Sequence, residues 1–302
     1  MHRFRRGFTT AEIITSIVII GILGIAMTKL VVGQARSFQL DNGLKRARSA
    51  SRSAMNIMIT DLRMAHDSGA SVTYLDATNN RRVDVRVPLV FGVVCEVNGG
   101  NAVLSLVPVD SFQMAAAKYG GYATRNASTG NYSFATAGSS DTIQSTGAGH
   151  CHSGGVARYA DTVTSSGRAG SVMQVSPAPP AGTQVGDMAF VFQTVTYEFK
   201  TSAIYPGTLG LYRTTRGRSN TDTLAEEIIA PFASTARFNY YTNPAQAKDT
   251  SLKVAPTAAN YWKVRGFQIV LPGIAPDTVP GRTAPLSTTT TTAVFFKNTR
   301  RP

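Results

Sequence analysis

The hydrophobic pattern of the chain begins with a run that has no period. Ile13 to Val32 is predominantly apolar, interrupted by Thr15, Ser16, Thr28 and Lys29, and a lone acid, Glu12, stands at its mouth. At about 1.5 Å of rise per residue, roughly 20 residues match the hydrocarbon thickness of a bilayer. Beyond it the pattern turns periodic. Leu40, Leu44, Ala47, Ser51, Met55, Met58, Leu62 and Ala65 recur at steps of three and four, the mark of one helix face. Arg36, Lys45, Arg46, Arg48 and Arg52 occupy much of the remainder, and Asp67-Ser68-Gly69 supplies a stop. One helix from about Thr9 to His66 is predicted, apolar nearly all round in its first half and amphipathic in its second. Such a helix spans a membrane and then packs one face on a domain.

From Ala70 onward the grain is that of short strands. The stretches VDVRVPLVFGVVCEV and AVLSLVPV, either side of NGGN, read as a hairpin of Val83 to Val97 with Ala102 to Val109. Residues 111–184, rich in Gly, Ser, Thr and Ala, read as an insertion of loops and short strands. Strong alternation from Asp187 to Gly217 predicts three strands. Leu224 to Ala230 is expected to be a short helix feeding another strand, and two more strands close the chain. The fold class is α+β: a long helix laid on an antiparallel sheet, with a β-rich globular part over 67–302.

Composition sharpens the compartment and the partners. Only 16% of the 302 residues are charged, a mix that suits an exported, loop-rich β protein better than a cytosolic enzyme. The formal net charge is +13, which brings nucleic acid and anionic membrane surfaces into consideration. The basic cluster beyond the span fits lipid headgroups or DNA in one reading and a solvated helix face in another. At the N-terminus, HRFRR supplies the positive charge that holds a span's leading end in the cytoplasm. A plain anchor is one reading; a secretory signal cleaved at Gly33-Gln34-Ala35 is another. Neither explains Glu12, because an unpaired carboxylate in hydrocarbon costs about 2.5 kcal/mol or more. Cys95 and Cys151 are the only cysteines; they permit one disulfide, or two separate buried thiols.

The residues RGFTTAEIITSIVIIGILG resemble the N-terminal signature of type IV prepilins and pseudopilins. That resemblance implies a leader over residues 1–7, cleavage between Gly7 and Phe8 by a membrane prepilin peptidase, and N-methylation of Phe8. It implies a helix over 8–66 with its transmembrane part at about 9–32. Glu12 takes the place of the family's fifth mature residue, an anion paired with the Phe8 amine of a neighbouring subunit. Thr10 and Ala11 depart mildly from the bulkier residues usual there, and Lys29 stands where many major pilins carry Pro. The order of Leu62-Arg63, GDMAFVF, LGLYRTTRG, LAEEIIAPFASTARFNYYTN, YWKVRGFQIVL and KNTR is similar to the PilW-type minor pilins and the J-type minor pseudopilins of type II secretion. A pilin-like roll would follow. So would an inner-membrane, single-pass subunit with a periplasmic globular part, later incorporated in a filament. Its implied partners are other pilin subunits, the peptidase, the inner-membrane assembly platform and lipid.

No catalytic constellation assembles, so the expectation is a structural protein without cofactor or metal. There is no G-x-S-x-G, HExxH or P-loop. His150 and His152 flank Cys151, and two imidazoles do not complete a zinc site. The sequons at Asn126 and Asn131 are glycan acceptors by pattern. Arg213, Arg216 and Arg218, close to Tyr205 and Tyr212, fit contact with DNA; an exposed basic turn is the other reading. A different class of function, a membrane-anchored or secreted binding module outside any filament, is separated from the first by the mature N-terminus.

Overall fold

The computed structural model describes residues 9–65, 72–98, 100–106, 119–128, 130–138, 143–145, 151, 164–165, 168–169, 171–216, 223–242, 252–253, 257, 261, 263–280 and 282–296. Its first element is one 55-residue helix, α1, Thr10–Met64. The strands follow in the order β1 Val72–Leu75, β2 Arg82–Asn98, β3 Asn101–Leu106, β4 Gly121–Arg125, β5 Tyr132–Thr136, β6 Ile143–Ser145, β7 Thr164–Ser165 and β8 Arg168–Ala169. Then come β9 Ser171–Val175, β10 Met188–Thr201, β11 Leu209–Arg216, β12 Thr223–Phe232, β13 Arg237–Thr242, β14 Leu252–Lys253, β15 Val264–Ile274 and β16 Ser287–Phe295. All but the β7–β8 pair belong to a single 14-stranded sheet, and its pairings are antiparallel. The α+β class predicted from the pattern is therefore present.

The long β2–β10 pair is the spine of this sheet, running from Met188↔Val93 to Glu198↔Arg82. Beside one half of it lie β1 and β11, and beside the other lie β3 and β4. Each half builds its own core. In the first, Met58 and Leu62 of α1 meet Tyr197, Phe199, Phe232, Phe238, Tyr240 and Phe267. Phe199 stacks within 5.1 Å of Phe238 and 5.7 Å of Phe232, tilted and edge-on respectively. The second core gathers Val90, Val94, Leu104, Tyr122, Val175 and Val191. Strands β4, β5 and β9, all drawn from 111–184, supply much of its wall.

The predicted helix stripe is the buried one. Ala47, Ser51, Met58 and Leu62 are buried, as is Ala65 just past the helix end, while Leu40, Leu44 and Met55 are half-buried; Ala54, outside the predicted stripe, joins them. The fit on the sheet is close. A Cβ on Gly273 of β15 would collide with the Ala47 carbonyl and the Ser51 hydroxyl, so only glycine lets the helix settle there. Ser51 Oγ donates to the Leu271 carbonyl at 3.1 Å. Gly43 lies against Ala275 and Leu286, Ala47 against Gly273, and Ser51 against Leu271. Four helical residues rise about 6 Å and two strand residues about 6.6 Å, so β15 runs antiparallel to α1 and almost along it. The β15–β16 connection thus lies at the end of the globular part nearest the apolar run.

Two expectations are corrected. The Asp187 to Gly217 region holds two long strands rather than three, because β10 continues for 14 residues across both cores and turns back only at Ser202–Thr208. Leu224 to Ala230 is strand, not helix. The helix propensity of Leu-Ala-Glu-Glu is outweighed by the ladder from Thr215↔Leu224 to Leu211↔Ile229, by β-branched Ile228 and Ile229, and by Pro231, which ends any helix.

Candidate membrane and assembly interface

The exposed half of α1 is the chain's most unusual surface. Every residue from Thr9 to Gln39 is exposed, among them Ile13, Ile17, Ile20, Leu23 and Leu30, with Ile20 67% accessible. Within it an 18-residue window has a mean hydropathy of 2.2 and buries nothing against the rest of the chain. The helix is long and apolar enough to cross a membrane, and a signal sequence near an N-terminus has the same composition. Exposed isoleucine over this length is a liability in water. It demands a hydrocarbon or a helical neighbour.

Glu12 sits in the first turn, where an unpaired acid was the puzzle. Its carboxylate accepts the Thr9 N–H at 2.9 Å and the Thr9 hydroxyl at 3.0 Å, while the Glu12 N–H donates to Thr9 Oγ1 at 3.4 Å. This is a capping box. Its sequence signal, Thr-x-x-Glu over Thr9 to Glu12, was open to reading and points to Thr9, a residue that the hydrophobic pattern passes over. Both Thr9 bonds fall on Oε2, and a carboxylate has two acceptor oxygens, so the capped group keeps further hydrogen-bonding capacity. Gly7 and Phe8 lie outside the described residues.

A second polar site anchors the other half of α1. The Tyr197 hydroxyl donates to Asp61 Oδ2 at 2.6 Å, and Arg213 adds bonds from Nε and Nη2 at 3.1 and 3.0 Å. Burial pushes the Tyr197 hydroxyl pKa well above its ordinary value, and the Asp61 carboxylate adds to the push. Arg213, a predicted DNA contact, is thereby committed to the helix: its side chain is 28% accessible and that of Asp61 18%. Arg216 has only its backbone described, in β11, and Arg218 lies outside the described residues. Tyr212 donates to Glu227 at 2.8 Å and lies under the Lys200 ammonium, 4.1 Å from the ring centre. Asp61 was missed by sequence reasoning, because a single acid on a helix carries no pattern.

Cys95 and Cys151 are joined as a disulfide, with Cα atoms 5.2 Å apart. Of the two readings of the cysteines, the bridge is the one adopted. His66, His150 and His152 lie outside the described residues, and among the described residues no three metal-binding side chains cluster. Asn126 and Asn131 flank the β4–β5 turn, where the Asn126 side chain accepts the Ser128 N–H at 2.9 Å. Arg46 and Asp277 face one another at 3.6 Å across a cleft of about 360 Å³ between α1 and the β15–β16 connection.

Compared with family models, curated proteins and solved structures, the chain finds no match.

Proposed function

We propose that the chain is a minor pilin or pseudopilin: a membrane-inserted subunit, most like the PilW-type and J-type minor subunits, that joins a type IV pilus or a secretion pseudopilus near its start or tip. The observation that carries this reading is one continuous helix, wholly exposed and apolar over much of Thr10 to Gln39 and packed on an antiparallel sheet from Ala47 to Leu62, with a capped acid at its first turn. Removal of residues 1–7 leaves the Phe8 amine as a cation at the head of an apolar helix. Glu12 of a neighbour supplies the matching anion, and the pair fixes axial register as a subunit leaves the bilayer. The globular part then adopts a pilin-like roll, contacts other minor subunits, and does no chemistry.

Sequencing the mature N-terminus is the test. N-methyl-Phe8 is the expected result. An intact Met1, or a chain starting at Arg36, overturns the assignment in favour of an anchored or secreted binding module.

A further inference from the structure

We propose that β16 pairs edge to edge with β16 of a second copy of this chain, joining the two sheets. This rests on the reading that the apolar half of α1 spans a bilayer. One side of β16 is taken by β15, in an unbroken ladder from Gly266↔Phe295 to Ile274↔Ser287. At its two ends the Ala275 N–H donates to the Leu286 carbonyl at 2.7 Å and the Phe296 N–H to the Arg265 carbonyl at 3.0 Å. These bonds fix the alternation. Even-numbered residues of β16 turn their N–H and C=O toward β15, and Ser287, Thr289, Thr291, Ala293 and Phe295 turn theirs outward. All five are exposed, and no strand among the described residues pairs with that edge.

An edge of this kind is a template for another strand, and proteins guard such edges with short length, lysine, proline or a bulge. At the two ends of the main strand order, β14 and β6 are guarded by length, with two and three described residues. β16 has nine residues, STTTTTAVF, and none of these guards. Its row of alternating donors and acceptors is matched by an extended backbone.

Charge and direction select whose backbone. The chain carries +13, so two copies repel over much of their surface, the basic stripe of α1 included. Along the uncharged β16 they meet without opposed like charges. β15 descends against α1 and β16 returns along it, so β16 of every copy anchored in one bilayer points the same way. The pairing is therefore parallel; an antiparallel pair would send the second anchor out of the opposite end. A parallel ladder bonds each outward residue to the two that flank its neighbour. Because the same residues turn outward in both copies, the copies are offset by one residue, about 3.3 Å. Thr289 to Thr292 of one copy then lie beside Thr288 to Thr291 of the other, β-branched beside β-branched on a pleated surface. A single strand edge is a small contact, and a shared bilayer supplies the effective concentration that it needs.

The test uses the full chain in vesicles of phosphatidylethanolamine and phosphatidylglycerol, and flotation first reports insertion. The native cysteines are bonded to each other, so an added cysteine is the free thiol. Neighbouring residues of a parallel ladder lie about 4.8 Å apart, within the reach of a disulfide. Thr291→Cys and Thr292→Cys are inserted separately or mixed, then oxidised with copper phenanthroline. The mixture should give at least about fivefold more cross-linked dimer than either variant alone, because the offset sets position 291 beside position 292 while identical positions project from opposite faces. Thr289→Pro, added to both, removes an outward N–H and leaves the ladder to β15, and should lower the cross-link at least about threefold. Thr289→Lys, which sets like charges side by side without touching the backbone, should do the same, and melting temperatures verify that both variants fold. Equal cross-linking in all three samples, cross-linking that survives both Thr289 variants, or none at all overturns the pairing and leaves the anchor standing. Cross-linking confined to Thr291→Cys alone marks an antiparallel pair and overturns it too. Failure to float overturns the anchor reading, and the pairing falls with it.

Discussion

A carboxylate at the head of an apolar helix can be satisfied within its own turn or by another chain; Glu12 is satisfied in the first way, and the second is the proposed pairing. The capping box distinguishes two substitutions that look alike. Glu12→Gln preserves a box, since glutamine serves at this position as well as glutamate, but removes the charge. If the acid only caps α1, the Glu12→Gln chain assembles normally. Pairing with a cationic amine, about 1.5–3 kcal/mol for a charge-assisted bond, predicts that Glu12→Gln lowers incorporation into filaments by about tenfold or more, much as Glu12→Ala does. Counting labelled subunits in sheared filaments, at equal membrane levels, decides between them. Glu227 makes a prediction about pH. Burial pushes its carboxyl up, but bonds from the Ser202 hydroxyl, the Ala203 N–H and the Tyr212 hydroxyl outweigh this and hold it below the ordinary glutamate value. A depressed folded-state value contributes stability above the unfolded value of about 4.3, lost as pH falls through the folded one. Thermal melts of wild type and Glu227→Gln should therefore differ at pH of about 6 and converge toward about 3.

Among the elements, α1 was legible because a burial stripe with a 3.6 period and an unbroken apolar run are both local signals. The β2–β3 hairpin was legible for the same reason, with Asn98↔Asn101 closing the turn that NGGN announces. What escaped depends on distant partners. Nothing local to Leu224 to Ala230 says that β11 will offer it a ladder, and nothing near Asp61 says that Tyr197 and Arg213 will arrive 136 and 152 residues later. The fit of Gly273 under Ala47 is of the same kind, and it is testable. Gly273→Ala drives a methyl into the helix backbone, and overpacking of this sort costs about 1–3 kcal/mol; a urea midpoint that does not move would show that α1 can lift from β15. The disulfide ties the end of β2 to Cys151 across 56 residues. Cys95→Ala with Cys151→Ala should lower stability by about 2–4 kcal/mol, read as the same shift that reductant produces in wild type.

At the scale of the whole molecule, the chain is two objects on one axis. The globular part buries the face from Ala47 to Leu62, and the free helix below it contributes no buried side chain to either core. Stability and membrane affinity should therefore separate. A chain beginning at Gly33 loses the apolar run and keeps nearly two turns of free helix before Leu40. Because no packing is lost, its melting temperature is expected within about 2 °C of the full chain in detergent, the shift that about 0.5 kcal/mol produces at this size. Its partition should change completely: the full chain floats with vesicles and the shortened one stays in solution as a monomer. A large drop in melting temperature would mean that the free helix supports the sheet through contacts made only in the intact chain. Flotation of the shortened chain would move the membrane affinity from the apolar run to the basic stripe of Arg36, Lys45, Arg46, Arg48 and Arg52, and repeating the flotation at high salt would expose that electrostatic source.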